Sequence, residues 1–260
     1  MISPANSFHR CWFVIALLSV FGTSCETARR VVKAKPTSLT PFLEDFENVE
    51  RAGRGGPFHA AWVGATREQL AQSAKRTEIY IAPVETRYLR PIGKSLAAGQ
   101  HAIWDKQRPV AQIATRIRTE FVAAFANSRD PRYVPVDAST RNSVTLRLSL
   151  VELDPTSVTG NAAKKAASFF VGPASAAASV LTKGSIAIEG QLRDTAGNWL
   201  LLQFADKEKD KITFWTLRDF RPYGHATVAI REWAEQFEEL TRNPRWREMG
   251  DSRAWTLRPW

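Results

Sequence analysis

The chain is read as a single α/β domain built on a mixed β-sheet, with a long hairpin at its centre and two amphipathic helices packed on it. Two observations carry this. From Gly184 to Asp210, Ile186, Ile188, Gly190 and Leu192 alternate with Ser185, Ala187, Glu189, Gln191 and Arg193, the period-two pattern of a strand with one buried face. Asp194-Thr195-Ala196-Gly197-Asn198 then supplies turn residues, and Trp199 to Phe204 is an apolar run entering alternating charges. The second observation is helical spacing in two other stretches. Val110, Ile113, Ala114, Ile117, Phe121 and Phe125 share one face, as do Ile230, Trp233, Ala234, Phe237 and Leu240.

Composition agrees with a folded body. Of 260 residues, 44% are hydrophobic and 24% charged, and nine Trp and fourteen Phe provide large apolar surfaces. The formal charge is +10, or 35 basic against 26 acidic residues once Arg10 is removed with the leader. That balance suits anionic partners in general, but the basic residues are dispersed and no nucleic-acid motif is present. No nucleic-acid partner is expected.

The amino terminus is tripartite. Met1 to Arg10 is polar and positive, Cys11 to Gly22 is apolar, and Thr23-Ser24 are small residues before Cys25. This is the build of a secretory signal peptide over residues 1–24, and its apolar run is under the ~20 residues of a spanning helix. At Cys25 it resembles a bacterial lipobox, which implies cleavage before the cysteine and acylation, palmitate-like, of the thiol. One acyl chain binds a membrane marginally, at ~10⁴ M⁻¹, and two or more hold stably. Lipidation also accounts for a lone thiol in an exported chain. The alternative is plain cleavage and a secreted protein. Glu26 follows rather than aspartate, so the lipobox resemblance implies the outer membrane, on the periplasmic side of the envelope.

Residues 25–57 are read as the lipidated cysteine and a basic tether carrying Pro36, in which Phe42, Leu43 and Phe46 pin a segment onto the domain. The α/β domain is assigned to 58–241. Within it, Glu78 to Val84 reads as a strand ended or edged by Pro83. A helix starts at Pro109 and runs to about Asn127. Tyr133 to Val136 is a short edge strand containing Pro135, and Val144, Leu146, Leu148 and Leu150 define another strand, stopped by Asp154-Pro155. Ala166 to Thr182 is uncharged and rich in small residues, with Gly172-Pro173 as a break. It reads as a covered connection, or else as a hairpin dipping into lipid or onto another subunit. Phe214 to Leu217 is an apolar bridge, the second helix spans about His225 to Thr241, and residues 242–260 form a basic, tryptophan-rich tail.

Three stretches, Phe42-Leu43-Glu44-Asp45-Phe46, Tyr80-Ile81-Ala82-Pro83-Val84 and Gly184 to Lys211, resemble the bacterial lipoproteins of domain-of-unknown-function family 3313. The resemblance implies location and architecture. No activity comes with it.

Motifs for chemistry are weak. His59, His101 and His225 form no His-Glu-x-x-His pair, and no Gly-x-Ser-x-Gly elbow occurs. Gly93-Lys94-Ser95 resembles the end of a phosphate loop, but Tyr88 stands at its first glycine. Asp206, Glu208 and Asp210, interleaved with Lys207 and Lys209, suit a solvated strand end better than a calcium loop. Glu189 and Arg193 share a face about 13 Å apart. The expectation is a protein without catalytic residues, metal or cofactor, anchored through acylated Cys25 and meeting an unknown envelope protein. Two other classes stay open: a carrier or sensor of an anionic or lipidic ligand beside Phe169, Phe170 and Val180, and an envelope hydrolase with an unfamiliar site.

Overall fold

The hairpin Ser185–Asp194 (β5) and Leu200–Lys209 (β6) pairs antiparallel from Ser185↔Lys209 to Arg193↔Leu200. The computed structural model describes residues 38–91, 107–154, 184–209 and 223–250. The leader, Cys25, Gly93-Lys94-Ser95, His101, the Ala166–Thr182 stretch with Phe169, Phe170 and Val180, Asp210, Phe214–Leu217 and the tail beyond Gly250 lie outside these residues.

Around the hairpin, Ala60–Val63 (β1), Glu78–Ile81 (β2), Val134–Val136 (β3) and Ser143–Asp154 (β4) complete a mixed six-stranded sheet in the order β1-β6-β5-β4-β2-β3. The pairs β2–β3 and β2–β4 are parallel and the others antiparallel. Pro135 lies in β3, at one edge, where a missing N–H costs no ladder bond. Pro83 follows β2, and beyond it the chain still tracks β4 through the Glu85 amide on Leu148 O and the Arg90 amide on Val151 O.

Two long helices cover one face. Gln107–Ala126 (α3) turns Ile113, Ile117, Phe121 and Phe125 inward, and Gly224–Arg242 (α4) buries Ala226, Ile230, Trp233, Phe237 and Leu240. Pro109 falls in the first turn of α3, where its missing N–H has no intrahelical acceptor to lose. Phe237 meets Phe121 at 5.9 Å and Phe204 of β6 at 5.3 Å between ring centroids, tying both helices to the sheet. Each such buried ring contributes roughly 1.5–3 kcal/mol. Gly190 is where this face comes closest to itself: a Cβ there would sit 2.2 Å from the Phe204 ring, which stacks on Phe58 at 4.3 Å.

The second face is buried too, a departure from the one-faced strand that alternation suggests. Ser185, Ala187, Glu189 and Gln191 are as inaccessible as the Ile186 row. The cover is the segment from Ser38 through Phe46–Ala52 (α1), which brings Phe42, Leu43 and Val49 against Ala205, Ala60 and Trp62. Phe42 and Leu43 pin it as expected. Phe46 does not: it is 44% exposed, because α1 turns it outward and offers Val49 instead. The short helix Arg67–Ser73 (α2) completes the described α-helices, its start set by a capping box between Thr66 and Gln69.

Candidate functional site

Three side-chain clusters organise the body. The first lies under the strap formed by residues 38–52. Glu189, wholly buried, accepts from the Thr40 amide at 2.8 Å and from its hydroxyl. Gln191 donates Nε2 to Phe42 O at 2.7 Å, and the Glu44 amide donates to Gln203 Oε1 at 2.9 Å. Alternate strap residues thus hang on the outward row of β5 and β6. Arg193 pairs with Glu44, and Arg147 lies 5.5 Å over the Phe42 ring while reaching Glu85 at 2.5 Å. A buried carboxylate is costly unless bonded. Burial pushes the Glu189 carboxyl up, and the Thr40 donors and the Arg90 charge only partly offset it.

The second cluster joins edge, sheet and helix. Asp206, 2% exposed, meets His59 Nδ1 at 2.6 Å through Oδ1 and accepts from Trp233 Nε1 at 2.6 Å through Oδ2. The His59 amide donates to the same Oδ1 at 3.1 Å. This corrects the solvated strand end: Asp206 and Glu208 are both buried, because they continue the Leu202, Phe204 row that faces α4. The signal was present in the strand period, and only the partners, 27 and 147 positions away, were not.

The third cluster is at the far end of the sheet. Asp194 accepts from Arg76 Nε at 2.8 Å, Ser73 Oγ at 3.0 Å and the Gly197 amide at 2.7 Å. Burial raises its carboxyl, yet these donors outweigh that and hold it below its ordinary value. Beside it opens a groove of about 710 Å³ lined mainly by Leu70, Tyr133, Leu192, Leu201, Leu240 and Trp246. Leu70 is 40% exposed there.

Among the sequence candidates that are described, the structure brings together only His59 and Asp206. His225 lies in the first turn of α4. Glu189 and Arg193 do not meet and instead grip Thr40 and Glu44 of the strap. Among the described residues no group of three His, Cys, Asp or Glu side chains is placed to hold a metal ion, and no helix is long and apolar enough to cross a membrane.

The family described as Protein of unknown function (DUF3313) matches residues 40–237. The chain belongs to the DUF3313 family. This DUF3313 match begins at Thr40, the first strap residue bonded to Glu189, and ends at Phe237, the ring that joins both helices to the sheet. No curated protein matches the DUF3313 chain. Among solved structures it is similar to the PelC dodecamer from Paraburkholderia phytofirmans, at 11% identity and TM-score 0.33, over 67% of this chain and 94% of that one. It is also similar to the hypothetical protein CT253 from Chlamydia trachomatis, at 9% identity and TM-score 0.35, over 64% and 99%.

Proposed function

We propose that this DUF3313 protein is a lipid-anchored binding or assembly adaptor of the bacterial envelope. It is held by acyl chains on Cys25 at the periplasmic side of the outer membrane, meets another envelope protein and carries out no catalysis. The observation that carries this reading is the fastening of the strap. Fourteen residues lie between Cys25 and Thr40, so the fifteen steps of the tether reach at most about 50 Å. Beyond it the chain is fixed to the middle of the sheet through Glu189, Gln191 and Gln203. A pull on the anchor is then carried into β5 and β6 and does not peel off a loose end. The apolar groove around Leu70 supports the adaptor part, since it offers a partner an aliphatic surface on a rigid frame.

The test has two arms. Mass spectrometry of the amino-terminal peptide from cells should find Cys25 acylated, and crosslinking in intact envelopes should return the same protein partner repeatedly. Leu70→Lys should reduce that capture without lowering the melting temperature. A bare Cys25 with protein released into the medium would sink the anchor, and turnover of an envelope substrate would sink the adaptor. The second reading, a carrier of an anionic or lipidic ligand, has the groove's volume in its favour. Lipid recovered in stoichiometric amount from the purified protein would replace the adaptor with the carrier.

A further inference from the structure

Charge is balanced over the described residues as a whole, with 21 Lys and Arg against 21 Asp and Glu. The groove beside Asp194 departs from that balance. The three stretches that supply its rim, Arg67 to Arg76, Arg129 to Tyr133 and Leu240 to Glu248, hold eight basic side chains and three acidic ones, Glu68, Asp130 and Glu248. Two of the eight are paired from elsewhere, Arg76 with Asp194 at 2.8 Å and Arg242 with Glu238 at 3.1 Å. Lys75, Arg132, Arg245 and Arg247 make no ion pair among the described residues. Two of these four stand against rings that line the groove: Arg132 lies 4.8 Å over Tyr133 and Arg247 lies 5.0 Å over Trp246. Lys75 and Arg245 are exposed next to the lining residues Ala74 and Pro244. Arg132 is also fixed in place, since its guanidinium donates to Arg76 O at 3.0 Å and to Ala74 O. The floor between them is aliphatic, from Leu192, Leu201 and Leu240.

We propose that this groove receives an acidic, aliphatic segment of the protein that the adaptor meets. The inference rests on the adaptor reading and adds to it the chemistry of the partner. Leu, Ile or Phe side chains of the segment seat on the aliphatic floor, and Asp or Glu on either side of them meet Arg132, Arg245 and Arg247. Charge complementarity chooses an acidic occupant, and a cationic rim of this kind sets partner choice and encounter rate more than affinity. The groove's exposure chooses a segment of chain. Leu70 is 40% exposed in it, and Ala74, Arg242 and Pro244 are exposed beside it. Small-molecule sites bury about 70–90% of their ligand, which so open a trough does not do, whereas a peptide fills a groove with a few anchoring side chains. Residues 251–260 carry Arg253 and Arg258 against Asp251, so they do not supply the matching charge.

The experiment uses residues 25–260, which contain every described element, with Cys25→Ser so that no acyl chain contributes. A displayed library of random short peptides is the probe. Enriched peptides should combine Leu, Ile or Phe with flanking Asp or Glu. Binding of an enriched peptide, followed by fluorescence anisotropy, should weaken with salt, since the Debye length falls from about 8 Å at physiological ionic strength to about 3 Å at 1 M. Arg245→Gln and Arg247→Gln should each weaken it about two- to fivefold, as loss of an exposed ion pair does. Leu70→Ala should weaken it as well, and Lys209→Gln, at the opposite end of β6, should leave it unchanged. Arg132→Gln should weaken it further; if that variant melts earlier through its lost bonds to α2, the Arg245 and Arg247 variants still decide. Enrichment of neutral or basic peptides, or an affinity that the Arg245 and Arg247 variants keep, overturns the proposal. So does self-association lost in Leu70→Ala, which gives the groove to a second copy, or a co-purified lipid that excludes the peptide, which gives it to the carrier reading. None of these measurements involves acylation or the envelope. A bare Cys25 or an envelope crosslink without a partner therefore counts against the proposed function alone. A crosslinked partner held equally well by the arginine variants counts against this inference alone.

Discussion

At the scale of single residues, Gly190 is set by what lies over it. Its missing Cβ makes room for Phe204, which is held in turn by Phe58 and Phe237. Gly190→Ala is expected to cost about 1–3 kcal/mol as a lowered urea midpoint, with Gly190→Ala/Phe204→Leu recovering part of the loss. Asp194→Asn leaves Arg76 and Ser73 facing a neutral amide and is expected to cost about 2 kcal/mol, read by the same measurement. The two shifted carboxyls respond to pH with opposite sign. The native state holds its proton on Glu189 above the ordinary 4.5, so this contribution is present below 4.5 and is lost as pH rises through the raised value. The native state releases the Asp194 proton below the ordinary 3.8, so that contribution is present above 3.8 and is lost as pH falls through the lowered value. Melting curves of the parent and of Glu189→Gln should therefore converge toward acid and separate above pH 4.5. Parallel curves would contradict the assignment. Glycine in a strand and turn residues after it were legible from the sequence. That Asp206 faces Trp233 was not, since the strand period puts Asp206 on the Leu202, Phe204 row but names no partner 27 positions away.

At the scale of elements, the strap is the part with a release of its own. It is held by Phe42, Leu43 and Val49 and by Glu189, Gln191, Arg193 and Gln203 of the sheet, while the sheet keeps its helix-covered core without it. Phe42→Ala is expected to cost about 3 kcal/mol and to speed trypsin cleavage at Arg51 and Arg54 before the sheet unfolds, as followed by timed proteolysis. Cleavage and global melting changing together would show that strap and sheet form one unit. The long elements were legible because their periods run for ten residues or more: β4, β5, β6, α3 and α4 lie within a few residues of where alternation and helical spacing put them. Of the short ones, β2 and β3 were legible from Glu78 to Val84 and from the Pro135 edge strand, and β1, α1 and α2 were not. Ala60–Val63 offers four residues with no clear period, and α1 has a single buried side chain, Val49. For α2 the Thr66-Arg67-Glu68-Gln69 capping signature was available, but no apolar stripe followed to give it weight.

At the scale of the molecule, one apolar cluster runs from Ala61 of β1 to Ile79 of β2 and through both long helices. Far-ultraviolet dichroism and tryptophan fluorescence should therefore report a single coincident urea transition. Two separated transitions would mean that the helices leave the sheet first. The mixed strand order was legible only as a class, since parallel neighbours such as Glu78 and Ser143 are 65 positions apart and no pattern in either strand names the other. Under the proposed anchoring, the sheet's two borders have a consequence for copies crowded in the plane of a membrane. β1 offers four residues and β3 three, one of them Pro135, so neither margin gives a neighbouring copy a run of free amides and carbonyls to zip onto. Copies packed at high two-dimensional density can jostle side by side and still separate.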